Sequence, residues 1–162
     1  MITGTVLGDK EVVAHFDAMP AKVHAALLAK TQSLSVKLAR YIQEQKLSGQ
    51  VLKVRSGNLR RSIAFMTTDS ADVITGKAYS SGDVKYAAIH EFGGKTAAHD
   101  IVPTKAKALA FMMNGKQVFA SIVHHPGSVM PERSFMRSGL ADMREEIIEG
   151  LRQAALDAMR EG

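Results

Sequence analysis

The segment Lys85-Tyr-Ala-Ala-Ile-His-Glu-Phe-Gly-Gly94 lies near the middle of a chain of 162 residues and sets the frame for both sides of it. Tyr86, Ile89 and His90 fall on one side of a single helical turn. Gly93-Gly94 then ends that turn, because glycine accepts the backbone angles of a sharp exit that other residues resist. The spacing predicts Tyr86, Ile89 and Phe92 as anchors that tie a short helix to the core, with Phe92 pointing inward. His90-Glu91 also opens like the helix of a zinc protease. That motif needs a second histidine four positions after the first, so that both imidazoles share a face with the glutamate as base, and position 94 is glycine. The metal motif fails, leaving His90 and Glu91 as expected packing or interface residues.

Strand-forming sequence flanks this turn on both sides. Upstream, the β-branched and aromatic runs 63–68 and 73–79 are separated by Asp69-Ser-Ala-Asp72 and read as an antiparallel hairpin. Downstream, 108–113 and 116–123 flank Asn114-Gly115, the pair best suited to the positive φ angles of a two-residue type I′ turn. In that register Leu109, Phe111 and Met113 share a face with Val118, Ala120 and Ile122, while Ala110, Met112, Phe119 and Val123 line the other. Both faces are apolar. A solvated face would alternate to polar residues, so a helix layer on one side and another chain or layer on the other are expected. Ile101-Val102-Pro103 suggests a brief edge strand, since proline cannot donate to a central ladder. His124-His125-Pro126-Gly127 closes the second hairpin, with the two imidazoles on opposite sides if extended.

Helical periodicity occupies both ends of the chain. A short helix is expected over 9–18, with Asp9 as N-cap and Val12, Val13 and Phe16 on one side. A longer one follows from Pro20 to about Leu47, with Val23, Leu27, Leu34, Leu38, Tyr41 and Ile42 on one face. Near Ser134 the last helix begins, carrying Met136, Leu140, Met143, Ile147, Leu151, Ala154 and Ala158 at helical spacing. The resulting expectation is an α+β fold, an antiparallel sheet of two hairpins packed against a long helix of the N-terminal half and a C-terminal helix. One domain spans 1–162, with helices in 9–47, the sheet region in 63–123 and the last helix over 134–160.

Composition narrows the function. A 46% hydrophobic content over this length supports a substantial core. The absence of cysteine removes disulfides, thiolate metal sites and a cysteine nucleophile. The first residues lack the basic and apolar regions of a secretory signal, and no apolar run approaches the roughly 20 residues that span a bilayer, so a soluble protein made in a cytoplasm is expected. The net charge of +5 arises from 21 basic and 16 acidic residues that are intermixed. Its densest positive cluster is Lys53, Arg55, Arg60 and Arg61 in the connector 50–62, where Ser56-Gly57-Asn58 should turn the chain or cap a short helix. Such a cluster suits phosphates or an acidic protein face, although no interleaved aromatics provide a stacking platform for single strands. Phosphate-loop, dinucleotide and exposed-serine motifs are all missing, and the other histidines are scattered. The reading therefore names no catalytic residue, no metal and no cofactor.

The order of the short motifs carries a resemblance. Val54-Arg-Ser-Gly-Asn-Leu-Arg-Arg-Ser-Ile63 comes first, then Tyr86-Ala-Ala-Ile-His-Glu-Phe-Gly-Gly94, then Ile101-Val-Pro with Lys105-Ala-Lys-Ala-Leu-Ala-Phe111. Val118-Phe-Ala120, His125-Pro-Gly127 and Pro131-Glu-Arg-Ser-Phe-Met-Arg137 follow. Over roughly residues 20–158 this series resembles the neck and tail-component family of tailed phages, and the related virion-morphogenesis family of tail completion proteins. Ser134 departs from the proline that the family more often places between arginine and phenylalanine, while Arg133, Phe135 and Met136 remain. The resemblance implies a non-catalytic virion protein of neck, tail completion or tail terminator type, made in a bacterial host. It would form a homo-oligomeric ring, a hexamer foremost, between the capsid connector or head-completion proteins and the tail tube, with packaged DNA in the lumen and no membrane partner. Interface or lumen residues would then come from Lys53, Arg55, Arg60, Arg61, His90, Glu91, Phe119, Arg133 and Arg137. Tyr86, Ile89, Phe92, Gly93, Gly94, Asn114, Gly115 and Phe135 would form the structural motifs. The alternative class is a basic nucleic-acid-binding module.

Overall fold

The computed structural model describes residues 21–70, 73–82 and 84–160, and the short helix expected over 9–18 lies outside them. Helix α1 (Ala21–Tyr41) is the spine. Its Val23, Leu27, Leu34 and Leu38 are buried along one stripe, as the spacing predicts. One π-helical turn, Ile42–Lys46, then widens the helix, and Leu47 N–H donates to the Ile42 carbonyl at 3.0 Å. This five-residue closure brings Ile42 and Leu47, both buried, to the same side, which an α-helical turn would not do.

After the connector come the short helix α2 (Asn58–Ser62) and the hairpin β1 (Ile63–Ser70) and β2 (Val73–Ser80). The strands pair antiparallel from Ile63 opposite Ser80 to Ser70 opposite Val73. The base of the ribbon is tied by Ser62 and Ser80, whose hydroxyls lie 2.8 Å apart, and by Gln43 Nε2 donating to the Ile63 carbonyl at 2.9 Å. Both strands lie against α1.

Helix α3 (Tyr86–Phe92) leads into a run of short strands: β3 (Gly94–Lys95), β4 (His99–Ile101), β5 (Leu109–Met113), β6 (Lys116–Ala120), β7 (Val123–His125) and β8 (Val129–Met130). They pair antiparallel as nested ribbons, β3 with β8, β4 with β7 and β5 with β6. The turn is as expected, with φ of 51° at Asn114 and 77° at Gly115. The fold is thus α+β with antiparallel strand pairs, a long helix in the N-terminal half and helices at the C-terminal end. The two hairpins do not share one sheet, because each ladder contains two strands. The second hairpin is also shorter than expected, since Val123 pairs with Ile101 instead of extending β6.

The C-terminal helix is in two pieces, α4 (Met136–Asp142) and α5 (Arg144–Arg160). They separate at Met143, whose side chain is buried in the core. Beyond it no residue of α5 is fully buried, and this helix runs beside α1 with Lys37 and Glu146 paired across the seam. Asp142 fastens α4 to the π turn, accepting from Tyr41 Oη at 2.8 Å and pairing with Lys46 Nζ at 2.6 Å. The main core gathers Leu38, Ile42 and Leu47 from the first helical stretch, Leu59 from α2, and Phe135 and Met143 from the two ends of α4. In it α4 approaches closely at Gly139, where a Cβ would stand 2.8 Å from Ile42 Cγ1. Gly139→Leu should therefore destabilise the protein by about 1–3 kcal/mol through overpacking, read as a lowered urea midpoint with unchanged slope.

Candidate functional site

Glu91 is fully buried at 0% exposure, the most confined charged side chain among the described residues. On α3 it shares the inward face with Ala87, one helical turn earlier. Its carboxylate meets the start of α4. Oε2 accepts from the backbone N–H of Phe135 at 2.7 Å and Met136 at 2.9 Å. Oε1 accepts from Arg137 N–H at 3.0 Å, Ser134 Oγ at 2.8 Å and Arg137 Nε at 3.1 Å. The first N–H groups of a helix have no internal partner, and here the cap comes from a residue more than forty positions away in sequence. Burial alone would raise the Glu91 pKa, but the N–H groups of Met136, Arg137 and Phe135 with the Ser134 hydroxyl outweigh it and hold the carboxyl below its usual range.

Neighbouring residues complete this lock. Arg137 Nη2 donates to the Glu91 carbonyl at 3.0 Å and to Glu132 at 2.7 Å, and its guanidinium lies 4.8 Å from the centre of the Phe92 ring. Arg133 N–H donates to the His90 carbonyl at 2.8 Å. Gly93 adopts φ of 69°, and a Cβ there would meet Glu132 N at 2.8 Å, so the close crossing of the two segments excludes a side chain. Phe135, at 0% exposure, fills the core beneath.

These contacts correct several expectations. Glu91 is no interface residue, because its carboxylate is consumed inside its own chain. Phe92, 55% exposed, and Tyr86, 42% exposed, do not anchor the turn in the core. The helix directs Ala87 and Glu91 inward, which leaves Tyr86 and Phe92 on the outer side, with Ile89 half-buried. Arg137 and Arg61 are structural too, since Arg61 Nη2 donates to the Ser56 carbonyl at 3.1 Å and Asn58 Oδ1 at 2.6 Å. On the second hairpin, Phe111 and Met113 of one face and Met112 and Phe119 of the other are all exposed, so the expected helix layer does not cover it.

The remaining cations converge. A groove of about 1000 Å³ runs beside the connector, and its lining includes Lys53, Arg55 and Arg60 together with Arg133 and His90. Lys53, Arg55 and Arg60 form no hydrogen bond or ion pair with other side chains among the described residues, and no carboxylate lines the groove. Its floor is apolar, with Leu47, Leu52, Leu59 and Met130. His90 packs edge-on against Tyr86 at 5.8 Å, and its buried Nδ1 has no partner. Burial and then the Arg133 charge hold its pKa below the usual imidazole value, so the groove's positive charge at neutral pH comes from lysine and arginine. The sequence resemblance groups Arg133 with the connector cations as interface candidates, but that they line one groove follows only from the tertiary contacts that place residues 130–137 against α3 and β3. Ser134 before an apolar run is the residue type that marks a helix start, and it was the available sign that a cap was needed there.

Elsewhere, His99 stacks on His125 at 5.0 Å and His124 pairs with Asp100 across β4 and β7. Among the described residues no three His, Asp or Glu side chains are grouped to hold a metal, and no helix is long and apolar enough to cross a membrane. No protein-family model, curated protein or solved structure matches the chain.

Glu91→Gln should lower stability at neutral pH by about 2–4 kcal/mol, since one face of the amide cannot accept from the N–H groups it meets. A carboxyl with a depressed folded pKa stabilises fully above its unfolded value, about 4.3, and loses that contribution as pH falls through the folded value. The gap in urea stability between wild type and variant should accordingly be largest at neutral pH and close in acid.

Proposed function

We propose that this chain is a structural virion protein of a tailed phage, a non-catalytic subunit of a homo-oligomeric ring joining the capsid connector to the tail tube. The observation that carries the reading is the β5–β6 hairpin, an arm with exposed apolar side chains on both faces, 65% exposure at Phe119 and 68% at Met112. A monomer rarely leaves such an arm bare, and identical subunits arranged around an axis provide each arm with the next subunit as cover. The resemblance of the ordered motif series to the phage neck and tail-completion families supports it. Two of those motifs, Tyr86–Gly94 and Pro131–Arg137, are the segments held together through Glu91. Consumption of the Glu91 carboxylate by helix capping also argues against a base at the His90-Glu91 pair. The partners would be further copies of this chain, a hexamer foremost, the connector or head-completion proteins and the tail-tube protein. Neck, tail completion and terminator roles would differ in the neighbours of the ring.

Phe119→Glu should give a folded monomer with an unchanged circular dichroism spectrum, while the wild type sediments as a ring of constant stoichiometry visible by electron microscopy. A wild type that stays monomeric at high concentration would count against the reading. In the phage that carries the gene, its deletion should leave filled heads and separate tails, and normal virions would exclude the joining role.

A further inference from the structure

We propose that the groove beside the connector binds a short acidic peptide segment of another protein, with apolar side chains on its floor and carboxylates on its cationic rim. The inference goes beyond the joining role and is carried by the groove alone.

Four cations line one concavity without a lining carboxylate, and three of them have no side-chain partner among the described residues. Arg61 and Arg137, close by in sequence, are occupied by internal hydrogen bonds. The free set is therefore a selected subset of the basic residues, held where like charges repel until an anion arrives. Lys53 and Arg55 come from the connector, Arg60 from α2 and Arg133 from the segment before α4, so separate parts of the chain supply the charge that lines the groove. Arginine favours carboxylate, whose two oxygens match the guanidinium fork.

The floor distinguishes a peptide from nucleic acid. Leu47, Leu52 and Met130 beneath the cations present hydrocarbon, which the phosphate backbone of a duplex cannot use. Single strands bind through successive aromatic platforms, and Tyr86 is the one aromatic ring besides His90 in the lining. Apolar contacts below and carboxylate contacts above suit a chain that alternates leucine-like and acidic side chains. The volume, about 1000 Å³, is at the upper end of small-ligand pockets and exceeds what one inorganic anion would fill.

The test is fluorescence anisotropy on the purified full chain, whatever its oligomeric state, with a short fluorescein-labelled peptide of Glu, Asp and Leu. Saturable binding is expected, weakened by added salt, with no binding of a peptide carrying Lys in place of the acids. Arg55→Ser, Arg60→Ser and Arg133→Ser combined should weaken it about tenfold or more, since three charge-assisted contacts to carboxylates are lost together. Because these side chains are exposed, the triple variant should keep the wild-type circular dichroism spectrum and melting temperature. A charge-matched control, Lys105→Ser, Lys107→Ser and Lys116→Ser, should leave affinity unchanged. The proposal is overturned if the acidic peptide fails to bind, or if both triple variants lose affinity equally. Tighter binding of oligo(dT) that the peptide cannot displace would overturn it in favour of nucleic acid. Ring formation is read separately by sedimentation, so a ring that ignores the peptide and a monomer that binds it are distinct results.

Discussion

A single buried carboxylate ties α3 to the start of α4. Glu91 projects from a seven-residue helix into the start of another seven-residue helix, and neither is long enough to be stable alone in water. The open N–H groups of α4 need an acceptor, and a buried carboxylate needs several donors to remain charged. Each requirement is met by the other. With that contact in place Phe135 drops into the core, Gly93 crosses against Glu132, and Arg137 closes over Phe92.

The same contact explains how the surface is arranged. By drawing residues 131–137 against α3, it sets Arg133 beside His90 and among the residues that line the cationic groove. It also consumes the ionic groups that would otherwise suggest chemistry. Arginines that brace the fold are saturated with acceptors, whereas those lining the groove are not, and this division separates structural from available charge more sharply than exposure does.

Between α3 and α4 the chain leaves the core and returns through three nested ribbons, of which β5–β6 is the tip. A two-stranded ribbon is marginal in isolation, and bare apolar residues on both its faces make the arm dependent on whatever covers it. The core built by α1, the β1–β2 hairpin and α4 is closed without it. Scaffold and arm are thus separable in role, the scaffold satisfied internally and the arm requiring a neighbour.

Much of the fold was legible from local pattern. The stripe of α1, both hairpins, the Asn114-Gly115 turn and the glycine exit at 93–94 follow from periodicity and backbone preference, which act over a few residues. The order of motifs was likewise readable without coordinates. The tertiary structure decided what lies between distant segments: that Glu91 caps α4, that Phe92 and Tyr86 face outward, that the ladders remain two-stranded, and that Arg133 joins Lys53, Arg55 and Arg60. A capping carboxylate has no periodicity of its own, and its identity depends on which N–H groups the fold brings within 3 Å. Sequence specifies the donors and acceptors, while only the closed chain determines which of them meet.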